Sequence, residues 1–322
     1  MKKILFTLFF SFLATVCYSQ AYSASEWSDF KSKFIQNGRI IDSGNANISH
    51  SEGQGIGLLM SVKMKDKSAF DSIYTWTVEN LQKTDKTFAW KWEQGRIADK
   101  NNATDGELYI VWALLEASEV WGIEQYKLDA KKIIDATLSC CVKKIGGRDY
   151  LLPGMWGFEE KEYIVVNPSY YIYPAIKKIQ SKFENPIWES LIGSGMRVSA
   201  GWGSFGLPAD WVVVMKPSEE LAPWKERPFR FGFEAIRVGL FMKAYNPKAA
   251  NIANISSWLQ KESNPGWVDL NTTQRAEYSL PPGFRAVGQY LTGTKIKALP
   301  VKDMDYYNNF LYFLSKSLNS AQ

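Results

Sequence analysis

The stretch Leu108 to Trp121 constrains the fold more than any other part of the chain. It is apolar almost throughout, broken only by Glu116, Ser118 and Glu119. A helix that is apolar on every side must be buried on every side. At 14 residues it is too short to cross a bilayer, which takes roughly 20, so its surroundings have to be other protein. The next segment, Tyr126 to Val142, carries Leu128, Ile133, Ile134 and Leu138 at helical spacing with polar residues between them, and so can lie outside. One buried helix followed by one amphipathic helix is the unit of a helical barrel with an inner and an outer ring.

The rest of the chain fits that alternation. Ser25 to Ile35 reads as an amphipathic helix with Ser25 as its cap. The glycine-rich segment around Glu52 leads into a helix begun by Leu58-Leu59-Met60 and reaching about Met64, and Ser68 to Leu81, Asn185 to Ser199, Pro247 to Glu262, Pro281 to Leu291 and Lys302 to Leu318 follow as helices. Asn167-Pro168 suits the start of another helix, and Phe231-Gly232-Phe233-Glu234 leads into one that reaches Tyr245. Phe88 to Trp92 and Val212 to Val214 read as short extended pieces. Ten to twelve helices with few strands are expected, in one domain over residues 21–322, since no Gly/Ser or Pro-rich linker divides the chain.

Four helix entries carry Glu52, Asp105, Tyr170 and Glu234, spaced 53, 65 and 64 residues apart. A barrel of six helical hairpins brings such positions to one rim. In the first of these entries, His50-Ser51-Glu52-Gly53-Gln54-Gly55-Ile56-Gly57, an acid sits among glycines ahead of the apolar run Leu58-Leu59-Met60. A carboxylate at a helix N-terminus is electrostatically favourable on its own account. It is also well placed for catalysis if the helix mouth opens into a cleft.

Composition removes most other chemistries. One histidine and three cysteines in 322 residues leave no set of zinc ligands and no conventional Ser-His-Asp or Cys-His arrangement, unless His50 serves. Carboxylates remain for acid–base work, with no metal or cofactor required. Cys140 and Cys141 are adjacent and read as two buried thiols on a helix. The net charge of +5 is spread over scattered lysines rather than gathered with base-stacking aromatics, so no nucleic-acid partner is indicated. The 13 Trp, 16 Tyr and 18 Phe are many; part of that supply fills a helical core, and Trp and Tyr beyond it suit stacking on sugar rings. At the start, Met1-Lys2-Lys3, an apolar run to Cys17 and the exit Tyr18-Ser19-Gln20 read as a signal peptide over residues 1–20. The residues before Cys17 do not favour lipid attachment. An exported monomer, periplasmic or secreted and without stable membrane insertion, is expected.

The chain resembles glycoside hydrolase family 8, and within it the secreted endoglucanases of bacterial cellulose-synthesis operons. The segments that carry the resemblance are Ser51-Glu52-Gly53-Gln54, Ala103-Thr104-Asp105-Gly106-Glu107-Leu108, Leu151-Leu152-Pro153-Gly154, Asn167-Pro168-Ser169-Tyr170, Pro208-Ala209-Asp210-Trp211 and Phe233-Glu234-Ala235-Ile236-Arg237. They occur in the family's order from about residue 27 to 245, and the resemblance fades beyond that. It implies an all-α (α/α)6 barrel with short extended segments in the cleft loops, and inverting, endo-acting hydrolysis of β-1,4-glucan. The family's general acid falls on Glu52, an aspartate beside the scissile sugar on Asp105, and a contacting tyrosine on Tyr170. Its general base, an aspartate in the largest group, falls on Glu234. Glutamate reaches about 1.5 Å further, one C–C bond. Either Glu234 acts as base with compensating surroundings, or another carboxylate such as Asp105 takes the role, or activity is weak. Arg237, one turn on, can hold Glu234 ionised; Trp90, Trp92, Trp156 and Phe233 are candidate sugar platforms. Xylan, chitosan and mixed-linkage glucan are alternative substrates within the family. A catalytically impaired glucan-binding protein of an export system, working beside cellulose-synthesis machinery, is the alternative of another class.

Overall fold

The computed structural model describes residues 22–319, so the expected signal peptide lies outside the described residues. Within them are eleven α-helices: α1 (Ala24–Phe34), α2 (Ser51–Lys63), α3 (Lys67–Leu81), α4 (Thr104–Trp121), α5 (Glu124–Cys141), α6 (Tyr173–Gln180), α7 (Ile187–Val198), α8 (Ile236–Tyr245), α9 (Asn251–Gln260), α10 (Pro282–Thr292) and α11 (Tyr306–Asn319). Twelve short strands lie in the connections, more than the sequence suggests. They are β1 (Ile35–Gln36), β2 (Arg39–Ile40), β3 (Ser49–His50), β4 (Lys91–Glu93), β5 (Arg96–Asp99), β6 (Val142–Ile145), β7 (Arg148–Leu151), β8 (Tyr163–Val166), β9 (Val212–Met215), β10 (Leu221–Pro223), β11 (Arg230–Phe231) and β12 (Val268–Asp269). All pair antiparallel, in sheets of two or three strands. They stiffen loops rather than build a layer of their own.

Burial separates two sets of helices. In α2, every residue from Gly53 to Val62 is buried; in α4, every residue from Thr104 to Leu115 is. By contrast, α3 and α5 bury only one face, with Phe70, Ile73, Thr77 and Leu81 on α3, and Tyr126, Ala130, Ile133, Ile134, Thr137 and Cys141 on α5. Packing runs from α2 to α4, α4 to α6, α6 to α8, α8 to α10 and α11, and from α11 back to α2. Helix α3 backs α2, α5 backs α4, α7 backs α6, and α9 backs both α8 and α10. Helix α1 lies across the seam: its Trp27 indole donates to Asp66 at the start of α3, while Tyr312 on α11 donates to its Glu26.

Local readings are adjusted at four points. The cap of α1 is Ser23, not Ser25, and it forms a reciprocal capping box with Glu26. Asn167 caps only a single 3-10 turn, Pro168–Tyr170, and α6 starts afterwards at Tyr173. The two cysteines end α5 with their sulfurs 3.1 Å apart; Cys141 is buried and Cys140 half-buried. Finally, the glycine-rich stretch is not a loop ahead of α2. It is the first half of the helix, capped by His50, whose Nδ1 accepts from Gly53 N at 2.9 Å.

The glycines in α2 and α4 are there because neighbours press on the helix backbone. A Cβ on Gly55 would lie 2.6 Å from Tyr109 Cβ, and one on Gly57 would lie 2.6 Å from Ile40 Cδ1. On the opposing helix, a Cβ on Gly106 would meet the Ser51 side chain and come within 2.9 Å of Glu52 N. Glycine in a helix interior costs about 1 kcal/mol against alanine. Here it lets two inner helices touch backbone to backbone at their N-termini, the ends that carry Glu52 and Asp105.

Candidate active site

Four of the expected side chains converge around one cation. The Arg237 guanidinium, on the first turn of α8, donates through Nη1 to Glu52 Oε1 and through Nη2 to Glu234 Oε2. Its Nη1 also lies 3.4 Å from Asp105 Oδ2. Tyr170 places its ring 5.9 Å from the Arg237 carbon. The side chains of Arg237 and Asp105 are both 3% exposed, against 17% for Glu52 and 32% for Glu234, so the last two face the opening.

Three carboxylates around one guanidinium cannot all be satisfied as anions. Asp105 is held well above the usual carboxylate range, by burial first and then by the charge of Glu52, with Arg237 acting in the opposite direction. Its Oδ1 accepts from Gly106 N at 2.8 Å. Arg237 is raised well above its ordinary value, because the surrounding carboxylates outweigh its burial. It stays charged.

Each wall of the site is built differently. On the Glu52 side, position comes from the close approach of α2 and α4. Gln54 ties α2 to the hairpin of β1 and β2: its Oε1 accepts from Ile40 N at 2.6 Å, and its Nε2 donates to Thr77 Oγ1 at 2.8 Å and Gly38 O at 3.1 Å. Buried Glu107, two residues beyond Asp105, accepts from Phe88 N at 3.0 Å and so anchors the loop bearing Trp90; burial pushes its carboxyl up to about 8.

On the Glu234 side, position comes from hydrogen bonds. Glu234 precedes α8 in the turn Gly232–Ala235 and belongs to no helix. Asp210 Oδ1 accepts from Gly232 N at 3.0 Å, Glu234 N at 3.2 Å and Ala235 N at 2.8 Å, while Arg230 donates to Oδ2 at 3.2 Å. Burial raises the Asp210 carboxyl to about 6 against the pull of the Ala235 amide. Asn167 Nδ2 donates to Glu234 Oε2 at 3.1 Å, and Ser169 Oγ lies 3.4 Å from the same oxygen. The Tyr307 hydroxyl donates to the Phe233 carbonyl.

Sequence reasoning gave Asn167 and Ser169 only a capping role, left His50 open and assigned nothing to Asp210, although each stands in a quoted segment. Their side chains reach backbone and carboxylates 22 to 67 residues away, a distance no local pattern encodes. His50 is the exception, because it works next door: Nε2 is 3.2 Å from Asp42 Oδ2 and Nδ1 is 3.8 Å from Glu52 Oε2.

The aromatic residues fall in several environments. Trp156 is half exposed, with Lys83 5.4 Å above its ring, and Phe233 is exposed at its edge against Phe284 and Tyr307. Trp92 is partly covered: the Arg39 guanidinium lies 4.3 Å over its ring and Trp76 meets it edge-on. Trp90 is half-buried, and its carbonyl receives Ser51 N. Trp211, beside Tyr170, is a further aromatic in the cleft region; it stacks on Phe158 at 6.0 Å and lies under Arg227. Among the described residues, no cluster of His, Cys, Asp and Glu is arranged for a metal ion.

Comparison with known proteins gives a consistent match. The model of glycosyl hydrolases family 8 matches residues 3–320, continuing well past residue 246, where the motif resemblance ends. A probable endoglucanase of Novacetimonas hansenii is 37% identical over 304 residues, covering 90% of this chain and 89% of that protein. An endoglucanase of Cellulomonas uda is 33% identical over 294 residues, 88% of this chain and 82% of the relative. Among solved structures, a family 8 endo-β-1,4-glucanase from an Achatina fulica gut metagenomic library superposes with a TM-score of 0.86 at 33% identity, covering 92% of this chain and 98% of the other.

Proposed function

This chain belongs to glycosyl hydrolases family 8, and from that premise we propose that it hydrolyses β-1,4-glucan by internal cleavage with inversion, Glu52 acting as general acid and Glu234 as general base. The helix circuit supports closure as an (α/α)6 barrel, with α2, α4, α6, α8, α10 and α11 inside. Among the described residues, no helix is long and apolar enough to cross a membrane. Residues 1–20 act as a signal peptide and residues 21–322 as one catalytic domain, so the enzyme works on polysaccharide outside the cytoplasm, as a monomer, in the service of cellulose synthesis or trimming.

The observation that carries the catalytic assignment is the Arg237 bridge. One guanidinium bonds both carboxylates, which brings Glu52 and Glu234 to the same point of the cleft from opposite walls. Inversion, which needs carboxyls roughly 6.5–9.5 Å apart so that a water fits beneath the sugar, is taken from the family resemblance. In this site, Glu52 gives its proton to the leaving glycosidic oxygen. Glu234, held by Arg237, Asn167 and Ser169, takes a proton from the attacking water. Asp105, whose proton affinity burial raises, hydrogen-bonds a sugar hydroxyl beside the reacting centre. Tyr170 and Arg237 bound the reacting sugar, and Trp90, Trp92, Trp156 and Phe233 flank the chain on either side.

The test is a matched pair of assays. Glu52→Gln should lower turnover of carboxymethylcellulose by about 10³-fold or more, within the range for loss of a general acid. Cello-oligosaccharide binding measured by calorimetry should persist. Turnover at the wild-type rate in this variant would refute the acid assignment. Binding with no turnover by the wild-type protein would point instead to a glucan-binding role. Parallel assays on xylan, chitosan and mixed-linkage glucan fix the substrate.

A further inference from the structure

Histidine is an unusual residue to cap a helix N-terminus, where Asn, Asp, Ser and Thr prevail. A neutral imidazole nitrogen accepts a hydrogen bond only when the ring's hydrogen sits on its other nitrogen. The cap of α2 therefore depends on the tautomer of His50, and that is decided on the far side of the ring. Nδ1 accepts the Gly53 amide proton at 2.9 Å, so the neutral ring carries its one N–H at Nε2, 3.2 Å from Asp42 Oδ2. We propose that Asp42 is a positioning residue for Glu52: it fixes the tautomer of His50, and through it the helix cap that aims the Glu52 carboxyl. The proposal rests on Glu52 being the general acid.

Asp42 is itself held so that an acceptor faces the ring. It lies between β2 and β3 and pairs through its backbone with Ile48, its amide donating to Ile48 O at 2.9 Å. The turn between these two residues is fastened to α11, where Tyr306 N donates to Ser43 Oγ at 3.2 Å. Asp42 Oδ1 accepts from Gly44 N at 3.0 Å, which leaves Oδ2 for His50. The buried ring is wedged as well: Tyr306 meets it edge-on at 5.7 Å, and a Cβ on Gly53 would come within 3.2 Å of its Cε1. It has little room to turn and present its nitrogens the other way round.

Glu52 depends on this cap in two ways. Ser51 N donates to Trp90 O at 3.1 Å and Gly53 N to His50, so the amides on both sides of Glu52 are tied to fixed acceptors. Its Oε1 accepts from Arg237, and its Oε2 lies 3.8 Å from His50 Nδ1. While Nδ1 carries no hydrogen, it gives Oε2 no donor, and the carboxyl can hold the proton that a general acid needs. In the other tautomer Nδ1 carries the hydrogen. The Gly53 amide then loses its acceptor, the first turn of α2 is released, and Oε2 faces a donor that favours the ionised carboxylate.

Asp42→Asn tests this. With its oxygen kept on the Gly44 amide, the new side-chain nitrogen faces Nε2 as a donor, and the ring's hydrogen moves to Nδ1. On carboxymethylcellulose kcat should fall about tenfold, with KM within about twofold. The tautomer can be read directly, because His50 is the one histidine of the chain. Burial lowers the proton affinity of the ring, but the hydrogen bond to Asp42 and the charges of Glu52 and Asp42 outweigh it and Arg237, so a long-range proton–nitrogen NMR spectrum of the untagged protein is taken at about pH 9 to see the neutral form. It should show Nε2–H in the wild type and Nδ1–H in Asp42→Asn. In a His50→Asn background an asparagine oxygen takes the Gly53 amide with no tautomer to choose, and Asp42→Asn should then change kcat by less than about twofold. An equal loss in both backgrounds would mean that Asp42 merely supports its turn, and would overturn the proposal. So would an unchanged kcat in Asp42→Asn, or a wild-type ring with its hydrogen on Nδ1, a reading that needs no variant to fold. Should Glu52→Gln remain active, the acid assignment itself fails. Should Glu52→Gln be inert while the Asp42 effect is equal in both backgrounds, only the positioning role fails.

Discussion

The two walls of the cleft reach the same precision by different means. The Glu52 and Asp105 wall is covalently regular: both residues lie in the first turn of long buried helices, and glycines let those helices meet at the backbone. The Glu234 wall is irregular, a turn tied down by one buried carboxylate and two polar side chains from other segments. The helical wall depends on the absence of atoms, the turn wall on the presence of hydrogen-bond acceptors and donors. A substitution of glutamate for aspartate is therefore easier to accommodate on the turn, where shifting a few polar contacts adjusts reach without moving a helix.

That contrast can be broken at several points. Asp210→Ala should have the largest effect, because it strands two buried amides and one part-buried amide. Each unpartnered buried group costs about 1–3 kcal/mol, so a stability loss of about 3 kcal/mol or more is expected by chemical denaturation, with kcat down about 100-fold. Glu234→Asp should lower kcat about 10- to 100-fold with little change in stability, since the donors from Asn167, Ser169 and Arg237 are set for the longer chain. An increase in kcat would mean that the turn has not adapted to glutamate. Gly106→Ala tests the other wall; its methyl group meets Ser51 and the Glu52 amide, an overpacking worth about 1–3 kcal/mol, partly offset by the helix propensity of alanine. A thermal melt and a several-fold fall in kcat would register it.

The smallest effect is on pH dependence. Asp105 in the folded protein holds its proton more tightly than in the unfolded chain. Its contribution to stability is therefore complete below the ordinary carboxylate value of about 3.9, and is lost as pH rises through the raised folded value. Asp105→Asn cannot ionise, and its amide oxygen still accepts the Gly106 amide. Its melting temperature should fall less steeply than that of wild type as pH rises from about 5 to 9. Equal slopes would show that the proton is held elsewhere in the cluster.

Much of this was legible in the chain. The nearly continuous apolar run Leu108 to Trp121 announced an inner helix, and Phe70, Ile73 and Leu81 an outer one, because burial on all sides or on one face leaves a trace in the spacing of apolar residues. Glu52, Asp105, Tyr170 and Glu234 stood out at helix entries, and three of them meet at Arg237 with the fourth beside it. The glycines beside Glu52 were harder. Read locally they suggest a loop; in the fold they are helical, and their reason is a neighbouring helix about 50 residues on.

By itself, the sequence determined the order of buried and amphipathic helices, the scarcity of histidine and cysteine, and the carboxylates at the helix mouths. Each of these is a property of composition or of spacing along one element. Only the tertiary structure decided that one guanidinium would sit between three carboxylates, that Asp210 would hold the turn of Glu234, and that His50 would back Glu52. Those pairings set which proton is held where, and they depend on distance and burial between residues far apart in the chain. Local periodicity carries no information about either.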